Sequence, residues 1–265
     1  MLRDITLGQF FPGDTIVHRL DPRTKIVLLI VYIVALFQAV SWWSYALVAL
    51  VTVLVMILGH ITPKNIFKGL KPMLFIIALT ALLNVFYTKG TPIVEGWIIT
   101  WEGLGRSAQM ILRIVLLIAG TFLLTYTTSP IALTDGLEKL LNPLKKLKVP
   151  VHEMTLMMSM ALRFIPTLIE ETDKIMSAQK ARGADFETGN LIQRAKALLP
   201  ILVPLFVSSF RRADELAVAM ESRCYHGGEG RTRMTQLKYG KNDCFALFLG
   251  LLLVAAVNVL RHYGL

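Results

Sequence analysis

The chain has 265 residues, 54% of them hydrophobic, with a mean hydropathy of +0.58 and a formal net charge of +10. Such enrichment without a low-complexity tract points away from an ordinary soluble domain and toward a membrane. The basic residues flank apolar runs and do not interleave with aromatics, which argues against a nucleic-acid surface, and the two cysteines, Cys224 and Cys244, lack the CxxC or histidine spacing of a zinc site or a disulfide framework.

Residues 1–25 are polar and broken by Pro and Gly, so no cleavable signal peptide is expected. The first apolar block, IVLLIVYIVALFQAV from Ile26, runs to a break at Ser41-Trp42-Trp43-Ser44, and a second, YALVALVTVLVMILG, ends at Gly59. The pair reads as a helical hairpin with an uncharged, Trp-marked tip and a basic base, HITPKNIFKGLKP, read as a loop. A third run spans residues 72–87. A fourth, from about Leu104 to Thr127, carries Arg106 and Arg113; an ion in hydrocarbon costs several kcal/mol, so Arg113 is expected to face protein or water and Arg106 to snorkel from near an end. A fifth run begins at Phe245. Lys and Arg favour the cytoplasmic side, where Arg3, Arg19, Arg23 and Lys25 place the N-terminus together with the loop of Lys64, Lys68 and Lys71. Five spans then leave residues from about 129 to 242 in the cytoplasm and the C-terminus outside.

The cytoplasmic-side region shows no strand alternation and reads as three helices. The first starts near Ser129-Pro130 and ends near Lys148 in a KKLK tail. The second begins after Pro150 and is interrupted by Pro166, and the third runs from about Asn190 to Tyr225 through Pro200 and Pro204. Each of the last two has an apolar half leading into a charged half, and the apolar halves are read as sloping, protein-packed helices at the membrane face in preference to further spans. Both charged halves end in a small-Arg-small triplet: Ala181-Arg182-Gly183 and Ser222-Arg223-Cys224. Superposing them aligns Asp173 with Asp214, Ile175 with Leu216 and Ala178 with Ala219. Two equivalent plugs for two similar sockets is one reading, and a chance match over a dozen positions is the other.

Catalytic patterns are missing. HExxH does not occur, His152-Glu153 lacks its second histidine, and Gly227-Gly228-Glu229-Gly230 follows a helix and so reads as a helix end, not a phosphate loop. The expectation is a non-catalytic, all-α polytopic membrane protein with about five transmembrane helices and a cytoplasmic-side bundle of long helices, with no cofactor and no metal site.

Residues 8–25, GQFFPGDTIVHRLDPRTK, resemble the opening of the transmembrane (T) component of energy-coupling factor transporters, and the two arginine triplets resemble that family's paired signatures. The similarity covers the full length, with Ser222-Arg223-Cys224 departing from the commoner Ala-Arg-Gly form. The resemblance implies a cell-membrane scaffold of an ABC importer, on which two cytosolic ATPases dock and beside which a membrane S component captures a vitamin or a transition-metal ion. It implies that Ala181, Arg182, Gly183, Ser222, Arg223 and Cys224 form the ATPase-docking ends. The apolar runs divide the chain into residues 1–128 with the first four spans, residues 129–242 with the cytoplasmic-side helices, which the resemblance makes coupling helices, and residues 243–265 with the last span. Met154, Met157, Met158 and Met160 read either as a repackable face for interchangeable S components or as plain apolar core. Two other functions remain: a permease subunit with its own substrate path, which would need a polar cavity built from Arg113, Gln109, Asn84 and Thr80, and an intramembrane enzyme.

Overall fold

Small polar residues and prolines set where the helices begin. Asp21 caps α2 (Pro22–Gln38) by accepting from the Arg23 N–H, with Pro22 at the first helical position, where a missing N–H costs nothing. Ser41 caps α3 (Trp42–Leu58) through the Ser44 N–H, and Thr100 caps α6 (Trp101–Thr127) through the Gly103 N–H. The computed structural model describes residues 10–88, 90–91, 100–186, 190–227 and 237–263. Arg3, Gly8, Gln9, residues 92–99 of the loop before α6, and Gly228-Glu229-Gly230 of the sequence reading correspond to no described residue except that Gly227 is described.

Among the described residues the regular structure is helical, and the protein is an all-α polytopic membrane protein. A short α1 (Ile16–Arg19) precedes α2. After α3 come α4 (Pro63–Leu70), a 3-10 turn (Lys71–Met73) and α5 (Leu74–Tyr87), then α6 and α7 (Pro130–Leu141). A second 3-10 segment (Asn142–Leu147) leads to α8 (Val151–Ala181) and α9 (Leu191–Glu221), and α10 (Lys241–His262) ends the order. Among the described residues three stretches are long and apolar enough to cross a bilayer: Pro63–Tyr87, Trp101–Thr127 and Lys241–His262, of 25, 27 and 22 residues. The hairpin helices α2 and α3 have 17 residues each, at the short end of the spanning range of about 17–25.

Three readings of the sequence change. The hairpin tip is residues 39–41, and Trp42, Trp43 and Ser44 form the first turn of α3, because the Ser41 hydroxyl caps the helix and starts it three residues before Tyr45. The supposed loop at residues 60–72 contains α4, whose Ile66 and Leu70 lie one turn apart and bury against α6. Pro166 does not interrupt α8, which runs unbroken for 31 residues; one missing backbone bond is tolerated inside a helix of that length.

The described residues divide into two compact units, one from residues 10–140 and 237–263 and one from residues 141–227. In the first unit α2, α3, α6 and α10 share a core of Ala35, Leu36, Ala39, Tyr45, Val48, Leu116, Leu253 and Val257. Arg113 in the middle of α6 donates from Nε to the Tyr45 hydroxyl at 3.0 Å and from Nη2 to the Ala39 carbonyl at 3.0 Å. The expected protein-facing arginine therefore ties α6 to the α2–α3 turn, where Gln109 also donates to the Val40 carbonyl. Arg106 is exposed in the second turn of α6.

The N-terminal motif builds a polar clasp. Arg23 reaches back to Asp21 with Nε and Nη2, at 3.0 and 2.8 Å, and lies 3.9 Å over the Tyr239 ring. Asp243 at the start of α10 accepts from the Asp21 N–H at 2.8 Å and from the Gly240 N–H at 2.7 Å. Lys25 is 7% exposed, and its ammonium donates to the carbonyls of His18 and Thr127 and to the Thr128 hydroxyl. The ends of α2, α6 and α10 are thereby joined through charges that cannot leave without orphaning buried carbonyls. Lys25→Met is expected to lower stability by about 2–4 kcal/mol, read as a lower melting temperature of the detergent-solubilised chain. An unchanged melt would show that the clasp contributes nothing.

Candidate functional site

Helices α8 and α9, both of 31 residues, pack against each other within the 141–227 unit. Glu171 of α8 accepts from the Ser208 hydroxyl and, at 2.8 Å, from Arg212 Nη2, both on α9. Farther along α8, Gln179 Nε2 comes within 3.5 Å of the Pro200 carbonyl, so the two helices run antiparallel. Glu171 stands eleven residues before Arg182, and Arg212 eleven residues before Arg223. The ion pair thus marks a pseudo-two-fold point, with the two arginines on opposite sides and each about 16 Å along its helix at 1.5 Å per residue.

The two endings share a backbone geometry. In the first, Gly183 adopts φ +85°, the Ala184 N–H donates to the Gln179 carbonyl at 3.0 Å, and the Gly183 N–H donates to Lys180. In the second, Cys224 adopts φ +58°, the Tyr225 N–H donates to the Met220 carbonyl at 3.0 Å, and the Cys224 N–H donates to Glu221. A left-handed residue followed by a bond reaching five residues back is the Schellman ending, which turns the chain off sharply and leaves the preceding residue at the tip. That residue is Arg182 in one helix and Arg223 in the other. The third position of each triplet is small because it must be left-handed: glycine meets no penalty there, whereas Cys224 carries a Cβ in a conformation L-residues avoid.

All six triplet residues are exposed, and neither arginine forms a salt bridge with a described residue. Each is a charged fork held at a helix tip with its donors unspent. Met154, Met157 and Met158 are 49%, 62% and 46% exposed, and Met160 is half-buried. The first turns of α8 therefore present three thioethers at the surface of this unit. Glu170, Asp214 and Glu221 are exposed, as ordinary surface charges are.

Sequence reasoning did not assign the Ser208–Glu171–Arg212 contact, although the signal was present. The alignment that matches the two arginines also lays Glu171 on Arg212, opposite charges at equivalent positions. The Ser208 bond, opposed by partial burial and assisted by Arg212, holds the Glu171 carboxyl below its usual range.

A family profile described as cobalt transport protein (CbiQ) matches residues 13–234. The chain belongs to this family. Proteins named energy-coupling factor transporter transmembrane protein EcfT are similar to it over nearly their full lengths. The one from Clostridium kluyveri is 55% identical over 258 residues, 96% of each chain. Those from Ruminiclostridium cellulolyticum and Bacillus subtilis are 53% identical over 246 residues (92% of each chain) and 49% identical over 264 residues (98% of this chain and 100% of the other). As a member of the CbiQ family the chain is a transporter's membrane component, and the N-terminal motif that carries the resemblance is, in this member, largely the clasp that closes the membrane unit.

Two outcomes are expected from the geometry. Glu171→Arg sets like charges at the crossing and is expected to broaden the distance distribution between spin labels placed near the two helix tips; adding Arg212→Glu should narrow it again. Because the Glu171 pKa is depressed on folding, the contact's contribution is full above the ordinary glutamate range and is lost only as pH falls through the depressed value. Failure of the swap to restore the distribution would remove the ion pair from its role. At the tips, Cys224→Gly should be neutral or stabilising by up to about 1 kcal/mol, and Gly183→Val destabilising by about 1–2 kcal/mol, in thermal unfolding followed by circular dichroism. The reverse order would contradict the left-handed assignment.

Proposed function

We propose that this chain is the membrane scaffold of an energy-coupling factor importer, in which two cytosolic ATPases each take one arginine tip and a separate membrane S component carries the substrate. What supports this most is the pair of matching Schellman endings, placed symmetrically about Glu171 and each offering an unspent guanidinium. A nucleotide-driven ATPase dimer is itself two-fold, so two like tips flanking a two-fold point complement it. A guanidinium seated in a partly desolvated groove with acidic or carbonyl acceptors resists slippage better than an exposed ion pair does.

In this scheme Ala181, Arg182, Gly183 and Ser222, Arg223, Cys224 are the docking ends, and residues 129–242 carry the closing motion of the ATPases to the membrane. Residues 1–128 and 243–265 supply the spans, the N-terminus is cytoplasmic, and ATP is hydrolysed only by the partners. Met154, Met157, Met158 and Met160 face the S component, where flexible thioethers can repack against more than one partner. The cargo is a vitamin or a transition-metal ion, recognised by the S component.

A permease with its own polar path is less well supported. Arg113 and Gln109 are spent on the α2–α3 turn, while Thr80 and Asn84 bond carbonyls of their own helix at 2.8 and 2.9 Å. An open groove of about 570 Å³ in the membrane unit is lined by Trp43, Ala46, Leu47, Leu50 and Leu260, an apolar wall.

Arg182→Glu or Arg223→Glu is expected to leave the chain in the membrane yet weaken co-purification of the ATPases and cut ATP-dependent uptake. Loss of such an anchor commonly costs about 2 kcal/mol or more, roughly thirtyfold in affinity. Normal assembly and transport by the doubly reversed chain would overturn the docking scheme.

A further inference from the structure

We infer that the outward face of α4 is a binding surface for an anionic phospholipid headgroup, with Lys64, Lys68 and Lys71 holding the phosphate and Phe67 entering the acyl boundary. This goes beyond the docking of ATPases and does not depend on it.

The eight residues of α4 divide sharply. Ile66 and Leu70 are 6% and 5% exposed and pack with Leu123 and Tyr126 of α6. The Tyr126 hydroxyl donates to the Asn65 carbonyl at 3.3 Å, and a Cβ at Gly69 would overlap the Phe122 ring, so α4 is pressed onto the end of α6. The opposite stripe carries Lys64, Phe67, Lys68 and Lys71, all exposed and spaced as neighbours on one helical face. Phe67 is 71% exposed among these cations. That combination is poorly suited to bulk water and well suited to the region where headgroups meet hydrocarbon.

Continuity fixes the depth. The 3-10 turn Lys71–Met73 joins α4 to α5 within one apolar stretch, Pro63–Tyr87, and Leu74, Phe75 and Ile76 just beyond it are 56%, 75% and 54% exposed. Lipid tails are the surroundings such side chains require, so the three lysines stand where the tails give way to headgroups. Their charge is not neutralised locally in sequence: residues 22–94 contain no Asp or Glu. Three ammonium groups on a rigidly held turn complement one phosphate or a pair of adjacent phosphates, and an ammonium binds phosphate as a point charge without needing a fixed fork.

The test uses the full-length chain with Phe67→Trp, reconstituted in phosphatidylcholine vesicles that contain a small fixed fraction of brominated phosphatidylglycerol or of brominated phosphatidylcholine. The signal of the chain without Trp at position 67 is subtracted. Quenching by the brominated anionic lipid should exceed that by the brominated zwitterionic lipid about threefold at low ionic strength and approach parity near ~0.5 M salt, as expected for basic residues at a charged membrane surface. K64Q/K68Q/K71Q should abolish the preference, and K64R/K68R/K71R should keep it, which separates lost charge from misfolding. Equal quenching by the two lipids would overturn the inference. So would displacement of the preference by millimolar glycerol 3-phosphate, which would mark a site for soluble phosphate, or an unchanged preference in the glutamine variant, which would place the lipid elsewhere.

Discussion

The membrane unit depends on a small set of charges that are buried at one end of it and fully occupied. Asp21, Arg23, Lys25 and Asp243 hold the start of α2, the end of α6 and the start of α10 to one another through bonds of 2.7–3.2 Å. Apolar helices in lipid gain little from the hydrophobic effect when they associate, because the tails are as apolar as the side chains they would replace. Register must come from close packing and from polar groups that have no acceptable alternative partner. A lysine ammonium that satisfies two backbone carbonyls and a threonine hydroxyl meets that condition, since sliding α2 by one turn would strand all four groups.

The same logic recurs at the far end of the hairpin and between α5 and α6. Arg113 and Gln109 of α6 take the carbonyls that α2 leaves unpaired where it stops, and Tyr32 donates to the Leu116 carbonyl while bonding Thr52. Ser107 reaches the Ala81 carbonyl of α5. These four side chains of the spans, Arg113, Gln109, Tyr32 and Ser107, are directed at acceptors on neighbouring helices or their turns.

Much of this was legible from residues alone. Apolar runs of spanning length and the helical patterning of the region after them mark α2, α3 and α5 to α10. What the sequence hid has identifiable causes. The motif at residues 8–25 looked like a family signature without a function, because the partners of Asp21 and Lys25 lie 222 and 102 residues away in sequence, at Asp243 and Thr127. Helix α4 was taken for a loop because only two residues, Ile66 and Leu70, carry its apolar side, too few for a periodic signal. Pro166 suggested a break because a proline disfavours the preceding turn, and the tertiary setting overrode that preference. Cys224 hid the left-handed geometry of the second ending, since glycine is the residue by which a left-handed helix end is normally recognised.

The pseudo-two-fold crossing explains why two similar helices are carried by one chain and not supplied by two identical ones. In a dimer of identical helices, positions related by the axis hold the same residue, so Glu171 would face a glutamate and the crossing would repel. Two similar helices within a single chain are free to differ in sequence, and here one position is Arg212 while its counterpart is Glu171. The crossing thereby gains an ion pair and a serine bond. The same freedom extends to the tips, where Gly183 and Cys224 adopt one conformation with different side chains. Symmetry of backbone is thus kept at the two tips, while symmetry of sequence is relaxed at the crossing and at the left-handed position.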